Sequence, residues 1–96
     1  MIIEITVRHF NPAENVREYA LKKVNKIHKY FPKPISCHVI LTHESNGYTT
    51  DITLAVSGKK LFVSETSDDL FKSIDGAVDK SIARALKFKS TRYAHK

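Results

Sequence analysis

Residues 35–66 read ISCHVILTHESNGYTTDITLAVSGKKLFVSET, and this stretch decides the fold. It contains three runs in which apolar and polar residues alternate, the period of two that turns successive side chains to opposite faces of a strand. From Ile35 to His43 the inward set is Cys37, Val39 and Leu41; from Tyr48 to Ser57 it is Ile52, Leu54 and Val56; from about Lys60 to Thr66 it is Leu61 and Val63. The links carry turn chemistry: Glu44 to Gly47 (ESNG) includes an Asn-Gly pair, and Gly58 with Lys59 reverses the chain again. Links this short join antiparallel neighbours, so the three runs predict a meander with one apolar face.

Upstream, Ile2 to Arg8 alternates Ile3, Ile5 and Val7 against Glu4, Thr6 and Arg8, which predicts one more half-wet strand. Asn11, Pro12 and Glu14 then supply an N-cap, a first-turn proline and a capping-box acid for a helix running to about Tyr30. Its core stripe at 3.6 residues per turn is Ala13, Val16, Ala20, Val24, Ile27 and Phe31, with Lys22, Lys26 and Lys29 opposite; Pro32 and Pro34 end it.

Downstream, Ser67, Asp68 and Asp69 open a second helix, acids suiting the positive end of its dipole. Phe71, Ile74, Val78, Ile82 and Ala85 form its predicted stripe, flanked by Leu70 and Leu86, with Lys80, Arg84 and Lys87 on the far side. The order is β-α-β-β-β-α. This predicts an α+β domain, a four-stranded mixed sheet with two helices packed on one face, in one domain over residues 1–90. Residues 91–96 are expected to be a basic, flexible C-terminal tail.

The 96 residues carry a net charge of +6, but the distribution matters more. Lys22 to Lys33 holds five lysines and no acid, Lys80 to Lys96 holds six Lys or Arg and no acid, and the remainder nets −5. Two basic helix faces without the interspersed acids that usually stabilise an exposed helix point to a polyanionic partner. A right-handed crossover from the first strand would set both helices on the same side and join their lysines into one patch.

Other classes fit less well. The single Cys37 lies in an apolar run and reads as a buried small hydrophobe, in keeping with a reducing cytoplasm. The five histidines lack ligand spacing, so no metal is expected. Asp75 and Asp79, one turn apart, read as structural carboxylates paired with nearby bases such as Lys72. Phe10, Phe31, Phe62, Phe71 and Phe88 are placed at core or end positions, leaving Tyr30, Tyr48 and Tyr93 as surface contacts. Gly-rich phosphate loops and nucleophile-base motifs are absent, which predicts neither enzyme, cofactor nor small-molecule substrate. No apolar run reaches the roughly 20 residues that cross a bilayer, and no signal-like start is visible, so no membrane partner is expected.

The stretch DDLFKSIDGAVDKSIARALKFK resembles the closing helix of the ribosome hibernation promoting factors through Asp69, Leu70, Phe71, Ile74, Asp75, Asp79, Lys80, Arg84, Lys87 and Lys89. VREYALKKVNKIHKYF resembles their first helix through Arg17, Leu21, Lys23, Lys26 and Tyr30-Phe31, and the likeness spans almost the whole chain. The resemblance implies a fold shaped like double-stranded-RNA-binding domains. It implies a cytoplasmic, ribosome-associated stress or stationary-phase factor that docks on the small ribosomal subunit and its RNA. There it would cover the messenger and the A- and P-site transfer RNA region and stop translation, with a second ribosome or a helper modulation factor as further partners. By resemblance Lys23, Lys26, Lys80, Arg84, Lys87 and Lys89 would contact ribosomal RNA; Lys22, Lys29 and Arg92 join them on charge alone. Ala85 and Phe88 depart from the family's usual Gln and His or Tyr. The sequence does not include the extra C-terminal dimerisation domain of long forms, so it is expected to be a short form or a long form cut short. Two other readings stay open, a general structured-RNA-binding module and an adaptor for an acidic protein.

Overall fold

The computed structural model describes residues 2–30, 36–56 and 58–94, with side chains to residue 87. The elements in chain order are β1 (Ile2–Arg8), α1 (Glu14–Val24), α2 (Ile27–Tyr30), β2 (Ser36–Glu44), β3 (Gly47–Val56), β4 (Lys59–Ser67) and α3 (Leu70–Ala94). The sheet runs β1-β2-β3-β4, with β1 parallel to β2 and the other pairs antiparallel.

Register explains the core. The rows Ile3–Cys37–Leu54–Leu61 and Ile5–Val39–Ile52–Val63 lie side by side across all four strands. Their β2 and β3 members are fully buried under the helices. α3 packs over β3 and β4, and α1 lies beside it towards β1, so both helices cover one face as expected. Val16, Ala20, Val24 and Ile27 supply the core from the first helical segment, and Ile74, Ala77, Val78 and Ala85 from the last. The alternate rows, Glu4–His38–Thr53–Phe62 among them, face away from the helices. Phe62 is therefore 54% exposed, not a core residue: its neighbours Leu61 and Val63 take the inward positions on β4.

The helix ends depart from the expectation. α1 starts at Glu14 behind an extended Ala13 (ψ 155°) and has no side-chain cap, so Asn11 does not serve as N-cap. Phe10 explains the delay. It lodges edge-on against His43 and Tyr48, ring centroids 6.1 and 5.6 Å away, tying the chain to the sheet before it can turn. Ala13 is accordingly exposed; Phe31, Pro32 and Pro34 lie outside the described residues.

The first helix is also not continuous to Tyr30. At Asn25 and Lys26 the bonding tightens: Lys26 N–H donates to the Lys23 carbonyl, and the His28 and Lys29 N–H groups reach Asn25 and Lys26, each at 3.1 Å. These i to i+3 bonds have three residues per turn, which eclipses side chains three apart.

α3 opens on Asp69, whose carboxylate accepts the Phe71 N–H at 2.9 Å, and the helical backbone continues past residue 90 to Ala94. Its buried side is more polar than the stripe suggested. Ser73 and Ser81 are buried, and Ser73 shares a 2.9 Å hydroxyl hydrogen bond with Thr50 of β3, whereas Phe71 and Leu86 are more than a third exposed. Gly76 lets β4 approach, because a Cβ there would sit 2.8 Å from Glu65 Cγ. No helix among the described residues is long and apolar enough to cross a membrane.

Candidate functional site

The basic side chains fall into two groups on opposite sides of α3. On the α1 side, Tyr19 Oη donates to Asp75 Oδ1 at 2.6 Å, and Lys23 Nζ lies 3.5 Å from the same oxygen. The Tyr19 ring meets Phe71 edge-on at 4.8 Å, and the Lys23 ammonium sits 5.6 Å from the Tyr19 ring centre. Asp75 thus pairs with Lys23, not Lys72. Helix α1 brings the Lys23 ammonium directly alongside the carboxylate.

The tightened turn completes this group by setting Lys26 one short turn after Lys23, near enough for the two amines to influence each other. The Lys26 amine is held below the usual lysine value, first by its contact with the Lys23 amine and then by that neighbour's charge. Lys23 is pushed up, first by its contact with Lys26, while the adjacent Asp75 also favours its charged form. Of two crowded amines, the one beside a carboxylate keeps its proton more firmly. The hydrogen bond to Asp75, then burial, raises Tyr19.

On the β4 side, Lys80 forms an ion pair with Glu65, and Arg84 Nη1 donates to the Phe62 carbonyl at 2.7 Å. Both contacts turn these side chains towards the edge strand, away from α1. Among the described residues, α3 thus stands between the Lys23 contacts on one side and the Lys80 and Arg84 contacts on the other. Lys22, Lys26, Lys29 and Lys87 are exposed. The side chains of Lys89 and Arg92, like those of Phe88 and Tyr93, lie outside the described residues.

The partners of these bases were missed in the sequence. Tyr19 and Lys23, like Phe71 and Asp75, are spaced i, i+4 on the flank of a core stripe, and that signature marks a helix-helix seam. Tyr48 is half-buried, stacked beneath His43 at 4.4 Å. His38 and His43 do point to opposite faces, His38 bonding Thr6 across the uncovered side. Among the described residues no three His, Cys, Asp or Glu side chains converge as a metal site. Cys37 is buried, and burial alone pushes its thiol up to about 11.

The family described as Sigma 54 modulation protein / S30EA ribosomal protein matches residues 3–93. The chain belongs to this family. Among S30EA family relatives, the ribosome hibernation promoting factor of Escherichia coli is 30% identical over 99% of this chain and 100% of its own length. That of Salmonella typhimurium is 33% identical over 90% of each. Of solved structures, the N-terminal domain of Thermus thermophilus Protein Y superposes with a TM-score of 0.82 at 25% identity, covering 92% of this chain and 99% of that one. A ribosomal subunit interface protein from Coxiella burnetii, 23% identical over 94% and 99%, has the same fold at a TM-score of 0.81. The S30EA family sequence is thus carried on the α+β sheet and helix pair described above.

Proposed function

We propose that this chain is a ribosome hibernation factor that acts by binding, not by catalysis. In this reading it docks on the small ribosomal subunit in the cytoplasm through its basic helix faces. It covers the path of messenger and A- and P-site transfer RNA and holds translation off during stress or stationary phase. The observation that carries the reading is the run of exposed bases, Lys22, Lys26 and Lys29, on a chain that aligns from end to end with a ribosome hibernation promoting factor.

Lysine neutralises phosphate as a point charge without planar base readout, so affinity would come from charge and selectivity from shape. RNA helices favour such recognition, since they present phosphates and 2′-hydroxyls more accessibly than base edges. Lys22, Lys26, Lys29 and Lys87 are the leading phosphate contacts. Lys23, Lys80 and Arg84 bind from within local contacts. Lys89, by resemblance, and Arg92, by charge, are further candidate contacts.

The test is co-sedimentation of the purified chain with small subunits, large subunits and a generic RNA duplex over a salt series. Retention on small subunits, weakening as salt rises by a log-log slope of about 0.7 to 0.9 per phosphate contact, is expected. Equal binding to the generic duplex would favour a general RNA-binding module. Capture by an acidic protein after nuclease treatment would favour an adaptor.

A further inference from the structure

Asp75 is out of place on electrostatic grounds. It puts a carboxylate beside Lys23 and Lys26, where a polyanion would settle, and there is no shortage of neutral residues that could fill a half-buried helix position. Its neighbour Asp79 lies one turn on, exposed, without a side-chain hydrogen bond or ion pair among the described residues. The two acids differ in what they hold. Asp75 collects the Tyr19 hydroxyl and the Lys23 ammonium on one oxygen, and the Tyr19 ring, fixed edge-on by Phe71, lies alongside that ammonium. Lys26 follows Lys23 by one tight turn, its N–H bonded to the Lys23 carbonyl, and the two amines are close enough to perturb each other.

We propose that Asp75 and Tyr19 are positioning residues that fix Lys23 above the α1-α3 seam, so that Lys23 and Lys26 together form a seat for a single phosphate group. The inference rests on the RNA-binding reading above. A free lysine side chain has four rotatable carbons and loses that freedom when it docks. Lys23 has given up part of it already, because the Asp75 carboxylate and the Tyr19 ring hold its ammonium in the folded chain. Lys26, its neighbour, carries a charge destabilised by crowding, and an incoming phosphate relieves that repulsion.

The sign of one substitution separates positioning from bulk charge. Removing an acid from a basic face strengthens polyanion binding if only net charge matters. Asp79→Asn is expected to do this, binding small subunits as tightly as the unaltered chain or more so. Asp75→Asn is expected to bind about 3- to 10-fold more weakly despite the same gain in charge, the scale of one lost charge-assisted hydrogen bond. Tyr19→Phe keeps the ring but loses the hydroxyl, and is expected to weaken binding in the same direction. In a Lys23→Ala background, Asp75→Asn should have no further cost, since its effect passes through Lys23.

Small-subunit affinity is measured for these variants over a salt series, with thermal melts alongside. Asp75→Asn binding at or above the strength of the unaltered chain overturns the inference, as does a full additional loss in the Lys23→Ala background. Should Asp75→Asn fail to fold, Tyr19→Phe decides, and undiminished binding by it overturns the inference equally. Failure of the unaltered chain to bind small subunits overturns the RNA reading, and this inference falls with it.

Discussion

The two flanks of α3 carry similar charges in different circumstances. On the α1 flank, Lys23 is gripped by Asp75 and Tyr19 and lends its field to an exposed Lys26. On the β4 flank, Lys80 and Arg84 are both occupied, one with Glu65 and the other with the Phe62 carbonyl. A basic residue counted in a sequence is therefore not the same as a charge available to a partner. On the first flank a paired Lys23 sits beside an uncommitted Lys26, while on the second both bases, though exposed, also tie a helix to an edge strand.

The largest effect expected from this contrast is on binding. Lys26→Glu with Lys87→Glu removes two uncommitted charges and adds two repulsive ones, and is expected to cost ~100-fold or more in small-subunit affinity. Circular dichroism and the melting temperature should be unchanged, because neither side chain carries a fold contact. Lys80→Glu with Arg84→Glu should cost less binding and visibly lower the melting temperature. The reverse ranking, with an intact melt for the β4 pair, would break the comparison.

Next in size is stability on the β4 flank. Lys80→Ala with Arg84→Ala is expected to cost about 1 kcal/mol, an exposed ion pair and one main-chain hydrogen bond together. For a domain of this length that is about 4 to 8 °C in melting temperature. The matched Lys22→Ala with Lys26→Ala should leave the melt unmoved. Equal shifts in the two pairs would erase the distinction.

Gly76→Ala sharpens the contrast further. Alanine favours the helix by about 1 kcal/mol over glycine, but its Cβ would displace the flexible end of Glu65 and loosen the Lys80 ion pair. Net stability should stay within about 1 kcal/mol of the original. Lys80, once freed, should matter more to binding, so Lys80→Ala should weaken RNA binding more in the Gly76→Ala background than alone.

The smallest effect concerns Cys37, in the sheet beneath both flanks. Its thiol, raised from 9.0 to about 11 by burial, should resist alkylation at pH 8 until the chain unfolds. An acid whose folded value is raised holds its proton more tightly in the native state. The contribution is thus complete below pH 9 and lost as pH rises from 9 towards 11, where the unfolded thiol ionises first. Urea melts at pH 8 and pH 10.5, compared with those of Cys37→Ala, should show the difference.

Period-two alternation made the sheet legible from residues alone, because its register follows from which side chains must be buried: Val39, Ile52 and Val63 fall in one row. The two-helix face was legible too, through Val16, Ala20 and Val24 against Ile74, Val78 and Ala85. What escaped was local. Helical periodicity carries no sign that Asn25 starts a tighter turn, since the bonds that wind it are main-chain bonds. Nor does it show that Arg84 bends to a strand, because that depends on which main-chain acceptor of β4 lies within its reach. A helix wheel places charges around an axis, and only packing says which neighbour each one meets.

Arg84 carries a last consequence. A guanidinium presents five N–H donors in a fixed plane, and the Phe62 carbonyl accepts from one of them. The same side chain can thus cover a main-chain acceptor of an edge strand and still offer a planar fork to an anion, a geometry that a lysine's ammonium lacks. Sealing an unpaired strand against unwanted neighbours and welcoming a chosen one become a single residue's work, so an Arg84→Lys change would trade solubility against grip.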